Sequence, residues 1–160
     1  MVSIASQPVG PALLQLAGFQ IRVKRADEIV NNSAVLQDDN DLTFPGAANV
    51  TYAFIFFLMF SSSTVADFQT AISVPAGADG NRGDWAELTA AGADATWQER
   101  ALEANPVGAA GSARQPYISI GVVRMGATAG PVTLQWAQNT AEVSNTSVIT
   151  GSWLIALRLT

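Results

Sequence analysis

Cysteine and histidine are both absent from the 160 residues. Without cysteine there is no disulfide framework, thiolate zinc site, thiol nucleophile or iron–sulfur ligation. Without histidine the commonest general base, metal ligand and near-neutral proton switch is missing. Charge is scarce as well, at 13% of residues against roughly 25% in an average soluble domain. The balance is negative, net −5, which argues against nucleic-acid or phosphate partners. Long apolar runs are lacking. The longest, Tyr52 to Phe60, is less than half the roughly 20 residues of a membrane-spanning helix. No basic region precedes the mildly apolar stretch Pro11 to Gly18, so it reads poorly as a signal peptide, and no membrane partner is expected.

What is present is apolar and polar-uncharged: 49% hydrophobic residues, with plentiful Ala, Gly, Ser, Thr, Val and Asn. The length suits one domain with a core of its own. A chain this poor in charge must hide apolar surface, either in an unusually complete core or between subunits. The second is favoured at this size. Missing cysteine fits a protein made in a reducing cytoplasm and used outside it.

Residues 1–18 read as an arm, punctuated by Pro8, Gly10 and Pro11, with Leu13, Leu14 and Leu16 available to dock on a partner. Residues 19–160 read as an all-β domain. Phe19 to Lys24 alternates apolar with polar. Glu28–Val30 and Ala34–Leu36 are short strand candidates, and Asp38-Asp39-Asn40-Asp41 is a turn. Tyr52 to Phe60 has no helix caps and many aromatics, so a central strand is expected. Asp67 to Val74 alternates and stops at Pro75. Residues 76–114 read as short strands around Trp85–Leu88, Ala95–Gln98 and Ala101–Glu103, joined by long loops. Tyr117–Met125, Val132–Gln138 and Val148–Leu159 complete the set, with Gly151 as a bulge. Eight to ten short strands with Gly, Pro and Asn turns indicate a β-sandwich or barrel.

Chemistry-bearing motifs are weak. Arg82-Gly83-Asp84 spells an adhesion tripeptide in a Gly-rich loop, but three residues recur by chance. Asp38, Asp39 and Asp41 offer hard oxygens for Ca²⁺, yet the EF-hand spacing of Gly and Glu is missing, so a hairpin turn is the better reading. Carboxylate pairs for glycoside chemistry have no recognisable cleft motif around them. No catalytic residue, metal site or cofactor is expected. Trp136 and Trp153 fall on apolar strand faces, where core or subunit packing outweighs sugar stacking. Asn31-Asn32-Ser33, Asn49-Val50-Thr51 and Asn145-Thr146-Ser147 match the glycosylation sequon, as expected by chance in so polar a chain. From Gln115 to Thr160 only Arg124, Glu142 and Arg158 are charged, which suggests strands packed around a cyclic axis.

Several stretches taken together resemble a group of small structural proteins of tailed bacteriophages. They are Ala26-Asp27-Glu28, Leu36 to Leu42, Ala47 to Phe54, Thr64 to Phe68, Val74-Pro75-Ala76-Gly77, Val132 to Thr140 and Gly151-Ser152-Trp153-Leu154. The resemblance covers residues 19–160, most weakly over 78–114. It implies a β-sandwich of jelly-roll type on the outside of a virion, commonly trimeric. Of the roles it allows, a capsid decoration (cement) protein is favoured, because the chain has no fibrous repeats or coiled-coil heptads. The alternative is a head-fibre or tail-fibre module that binds a host receptor, using the 76–84 loop. On this reading the partners are the major capsid protein and further copies of the chain. Capsid contacts are expected from Val2, Ile4, Leu13, Leu14 and Leu16 of the arm and from Arg22, Lys24 and Arg25. Subunit contacts are expected from Leu134, Trp136, Trp153 and Ile155.

Overall fold

Alternation along one central strand explains the architecture. In the computed structural model, Tyr52, Phe54, Phe56, Leu58 and Phe60 are all buried, while Ala53, Ile55, Phe57 and Met59 on the opposite side are half-buried. Each large apolar side chain removed from water contributes roughly 1.5–3 kcal/mol, so this strand anchors the core. The structure describes residues 18–86, 96–104, 107–108 and 114–160. Among these are twelve strands and no helix: β1 (Phe19–Val23), β2 (Glu28–Asn31), β3 (Gln37–Gly46), β4 (Thr51–Ser61), β5 (Phe68–Ser73), β6 (Asp79–Ala86), β7 (Thr96–Ala101), β8 (Val107–Gly108), β9 (Gln115–Arg124), β10 (Gly130–Gln138), β11 (Asn145–Val148) and β12 (Trp153–Arg158).

The strands form two antiparallel sheets. One runs β1-β12-β4-β9-β6-β7, with β2 and β11 appended beside β4, and the other runs β3-β10-β5-β8. Eight of the strands nest. β1 pairs with β12, β3 with β10, β4 with β9 and β5 with β8, so each successive pair lies inside the last along the chain. The β6–β7 hairpin is inserted at the centre of this nest and extends the first sheet past β9. Gly121 permits that extension. A Cβ there would stand 2.5 Å from both the Asn81 carbonyl and the Phe54 ring.

The core fills the space between the sheets. From β3, β5 and β10 come Leu42, Phe44, Phe68, Ile72, Val132, Leu134 and Trp136, facing the β4, β9 and β12 side chains. Phe60 stacks on Phe68 at 4.3 Å, and Phe44 meets Tyr52 at 5.4 Å.

Three sequence expectations need correction. Asp38 to Asp41 is not a turn but part of β3. Opposite it the register jumps from Thr133↔Thr43 to Gln135↔Asp38, a bulge. The Asp39 carboxylate accepts from the Asp41 and Leu42 N–H groups at 3.0 and 2.9 Å, so the expected Asx bonding occurs within a bulged strand. Ala34–Leu36 is not a strand. Gly151 is a turn residue between β11 and β12, at φ +89°, rather than a bulge inside one strand.

Candidate functional site

The outward side of the first sheet is apolar across four adjacent strands. Cross-strand register sets its rows. Ile21, Ile155, Ile55 and Ile120 lie side by side on β1, β12, β4 and β9. A parallel row holds Val23, Trp153, Phe57 and Ile118, continued by Trp85 on β6, and a third holds Phe19, Leu157, Ala53 and Val122. Trp153 stacks on Phe57 at 5.4 Å. Ile21, Val23 and Ile120 are 44%, 51% and 42% exposed, and the rest are half-buried. No ionisable side chain interrupts these rows on β1, β12, β4 or β9. Polar groups begin at the margin, where Asn81 donates to Glu99 and Arg124 forms a bidentate pair with Asp79 at 2.8 and 3.0 Å. The outward side of the second sheet differs. It carries Thr43, Thr133, Gln135 and Asp38, with Thr43 and Thr133 hydroxyls bonded at 2.8 Å and Gln135 donating to Asp38.

Two of the four expected subunit contacts, Trp153 and Ile155, stand on this apolar face. The other two do not: Leu134 and Trp136 are fully buried between the sheets of their own chain and have no surface to offer a neighbour. Of the expected capsid contacts, Arg25 is exposed, and Arg22 is half-buried with its guanidinium on the Ile21 carbonyl. Lys24 is 1% exposed and points inward, so it cannot meet another protein. Val2, Ile4, Leu13, Leu14, Leu16 and the rest of the arm up to residue 17 lie outside the described residues. The residues not singled out from sequence were Ile21, Val23, Ile55, Phe57, Ile118 and Ile120. For Ile55 and Phe57 the signal was an apolar run at both parities in 52–60, which requires cover on both sides of a strand.

Buried charge is structural. Lys24 Nζ donates to Asp39 at 2.8 Å and Glu28 at 2.6 Å, and Trp136 Nε1 donates to the same Asp39 oxygen. Burial alone would push the Lys24 ammonium down, but hydrogen bonds and attraction from Asp39 and Glu28 more than offset it and raise its pKa. Arg82 crosses the core to donate to Thr70 O at 2.9 Å and Ala104 O at 2.6 Å. The Asp84 carboxylate lies 3.5 Å from Arg82 Nε and 3.7 Å from Arg100 Nε, which balances the buried charge. Arg82-Gly83-Asp84 is therefore not a displayed loop. It lies in β6, with Arg82 1% and Asp84 4% exposed, and cannot reach a receptor.

The carboxylates of the 38–41 segment diverge. Asp38 faces Gln135, Asp39 is in the core, and Asp41 accepts from the Arg25 N–H. Among the described residues no group of three acidic side chains is placed to hold a metal. A hollow lined by Val74, Ala78, Asp79, Gly80 and Ala101–Glu103 holds two carboxylates, but Asp79 is occupied by Arg124.

Tyr117, buried and bonded to Thr70 Oγ1 at 2.8 Å, has its phenol pushed well above the tyrosine range by burial, with Arg82 opposing and Asp84 reinforcing. Between its ordinary value of 10.0 and the raised folded value, the native chain keeps a proton that the unfolded chain has lost. Stability is then full below about pH 10 and falls as pH rises further. Lys24 acts in the same direction above 10.5. Alkaline titration followed by phenolate absorbance should show Tyr117 ionising only with unfolding, and Tyr117→Phe should reduce the alkaline loss of stability. A Tyr117 that titrates reversibly in the folded chain would contradict this.

No protein-family model, curated protein or solved structure matches the chain.

Proposed function

We propose that this chain is a structural protein of a tailed-bacteriophage virion. It acts as a capsid decoration protein that seats on the outer head surface as a homotrimer and braces the lattice of major capsid protein. The observation that carries the reading is the pairing of an uncharged apolar sheet face with a nested eight-strand sandwich. The orders β1-β12-β4-β9 and β3-β10-β5-β8, with first strand paired to last and inward to β5 with β8, support the jelly-roll element of this reading, an architecture frequent in virion proteins. The buried charges support a scaffold rather than a reaction centre, since each is committed to a partner inside the fold. The mechanism is mechanical. Each copy buries surface against several capsid subunits, adding free energy to the assembled shell against internal DNA pressure. Standard contacts of this kind bury about 1,600 Å², and a trimer multiplies them by avidity. With Lys24 internal, lattice contacts fall to residues 1–17, Arg22 and Arg25.

Antibody raised to the chain, gold-labelled on intact particles of the encoding phage, tests the reading. Gold spread over the head is expected. Gold confined to the tail tip or to sparse head projections would favour the host-binding alternative, and unlabelled particles would remove the virion reading.

A further inference from the structure

We propose that the outward face of β1-β12-β4-β9 is the surface through which copies of this chain bind one another. The inference deepens the trimer element of the reading above and rests on it only for the number of copies.

Charge selects the occupant. Three rows of side chains, from Phe19, Ile21 and Val23 on β1 to Ile118, Ile120 and Val122 on β9, carry no ionisable group. A charged partner would find nothing there to pair with, and its polar groups would be buried unsatisfied. A second copy brings the same uncharged surface and no like-charge repulsion. Shape points the same way, because sheet faces pack on one another by interdigitating alternate side chains. The margin completes an interface pattern of apolar centre and polar rim, with Asn81–Glu99 and Asp79–Arg124 on the β6–β7 side.

Size agrees as well. Four strands about 4.8 Å apart, with rows extending roughly 20 Å along them, project an apolar centre of about 400 Å². That lies within the range of the largest, often functional, patches on monomers, about 300–600 Å², and leaves the polar rim to supply the rest of the roughly 800 Å² per partner of a standard complex. The hydrophobic fraction and the shortage of charge then have one cause: the side chains of this sheet alternate between a core inside the chain and a second one between chains.

Sedimentation equilibrium of the full chain at micromolar concentration tests the inference, using Ile120→Lys and Ile155→Asp. Both side chains point away from the core, so cooperative unfolding by circular dichroism should persist. The native chain should run as an oligomer, and each variant should weaken association by about a hundredfold or more, since a lone charge would be buried at the contact. Asn40→Lys, on the exposed margin of the other sheet, should leave the mass unchanged.

Because the chain has no cysteine, Val23→Cys offers a single spin-label site. Short distances between labels on different copies are expected from it, and longer ones from Asn40→Cys. A monomeric native chain would overturn the inference. An oligomer untouched by both charged variants, with distant labels at Val23→Cys, would overturn it too. A dimer broken by Ile120→Lys would keep the face and remove the trimer. An oligomer broken by Ile120→Lys, in a chain that labels no particle, would keep the face and remove the virion reading.

Discussion

Lys24→Met should lower the melting temperature by roughly 10 °C. The variant keeps the volume of the stem but removes the ammonium held by Asp39 and Glu28. Asp39 stays buried at 2% exposure with its charge uncompensated. Breaking a buried pair from one side costs about 3–5 kcal/mol, and a domain of this size loses about 2–4 °C per kcal/mol. Differential scanning calorimetry would measure it. Arg25→Met is the comparison, since only the Arg25 backbone N–H bonds Asp41 and the side chain is exposed. It should shift the transition by no more than about 0.5 kcal/mol. Equal effects of the two variants would show that the Lys24 ammonium contributes no more than a surface charge. The pair cannot be replaced by neutralising Asp39 instead. That carboxylate also accepts from the Asp41 and Leu42 N–H groups and from the Trp136 indole, so Asp39→Ala should cost at least as much.

Gln138→Glu should be nearly as damaging, for the opposite reason. Gln138 is fully buried with both ends of its amide satisfied. Its oxygen accepts from the Ser33 and Glu142 N–H groups at 3.1 and 3.0 Å. Its nitrogen donates to the Glu142 and Ser144 carbonyls at 3.0 and 2.7 Å. One side chain thus ties the 139–144 connection to the segment after β2. Glutamate has the same shape but sets a carboxylate oxygen against two carbonyls. Near neutral pH the cost is about 3–5 kcal/mol, the range for an uncompensated buried charge. Burial and the facing carbonyls favour its protonated form, so the deficit should shrink as pH falls toward about 4. Chemical denaturation at several pH values would test this. Gln138→Met, with no charge, should show a smaller loss with no such pH dependence, and a pH-independent deficit in Gln138→Glu would contradict the placement of the two carbonyls.

Strands were legible where apolar residues marked them. Thr51–Ser61, Gln115–Arg124, Gly130–Gln138 and Phe19–Val23 all carry apolar residues at alternate positions or throughout, and each is found within two residues of its expected place. Asp79–Ala86 was not legible. Asp79-Gly80-Asn81-Arg82-Gly83-Asp84 has the composition of a loop, and its strand form comes from pairing with β9 on one side and β7 on the other. The inward positions there are Arg82 and Asp84, which an apolar period cannot register. Asp38–Asp41 failed for a related reason: local Asx chemistry is real at Asp39 but is set in a bulge that only the β10 register reveals. Of the candidate face, sequence singled out only Trp153 and Ile155, and it grouped them with Leu134 and Trp136 as subunit contacts. Leu134 and Trp136 have the same alternation, and sequence carries no sign of which side of a strand looks inward.

The nested pairing also governs how the chain is made. Phe19–Val23 emerges from the ribosome long before its partner Trp153–Arg158, and at about 5–20 residues per second that wait lasts roughly 7–27 s. Thr51–Ser61 waits as well, for Gln115–Arg124. Through that interval its aromatic run is a nascent segment with no native strand beside it. Loss of the final strand would leave β1 unpaired and β4 open along one side, so prematurely terminated chains should fall to aggregation and proteolysis rather than persist as partly folded subunits.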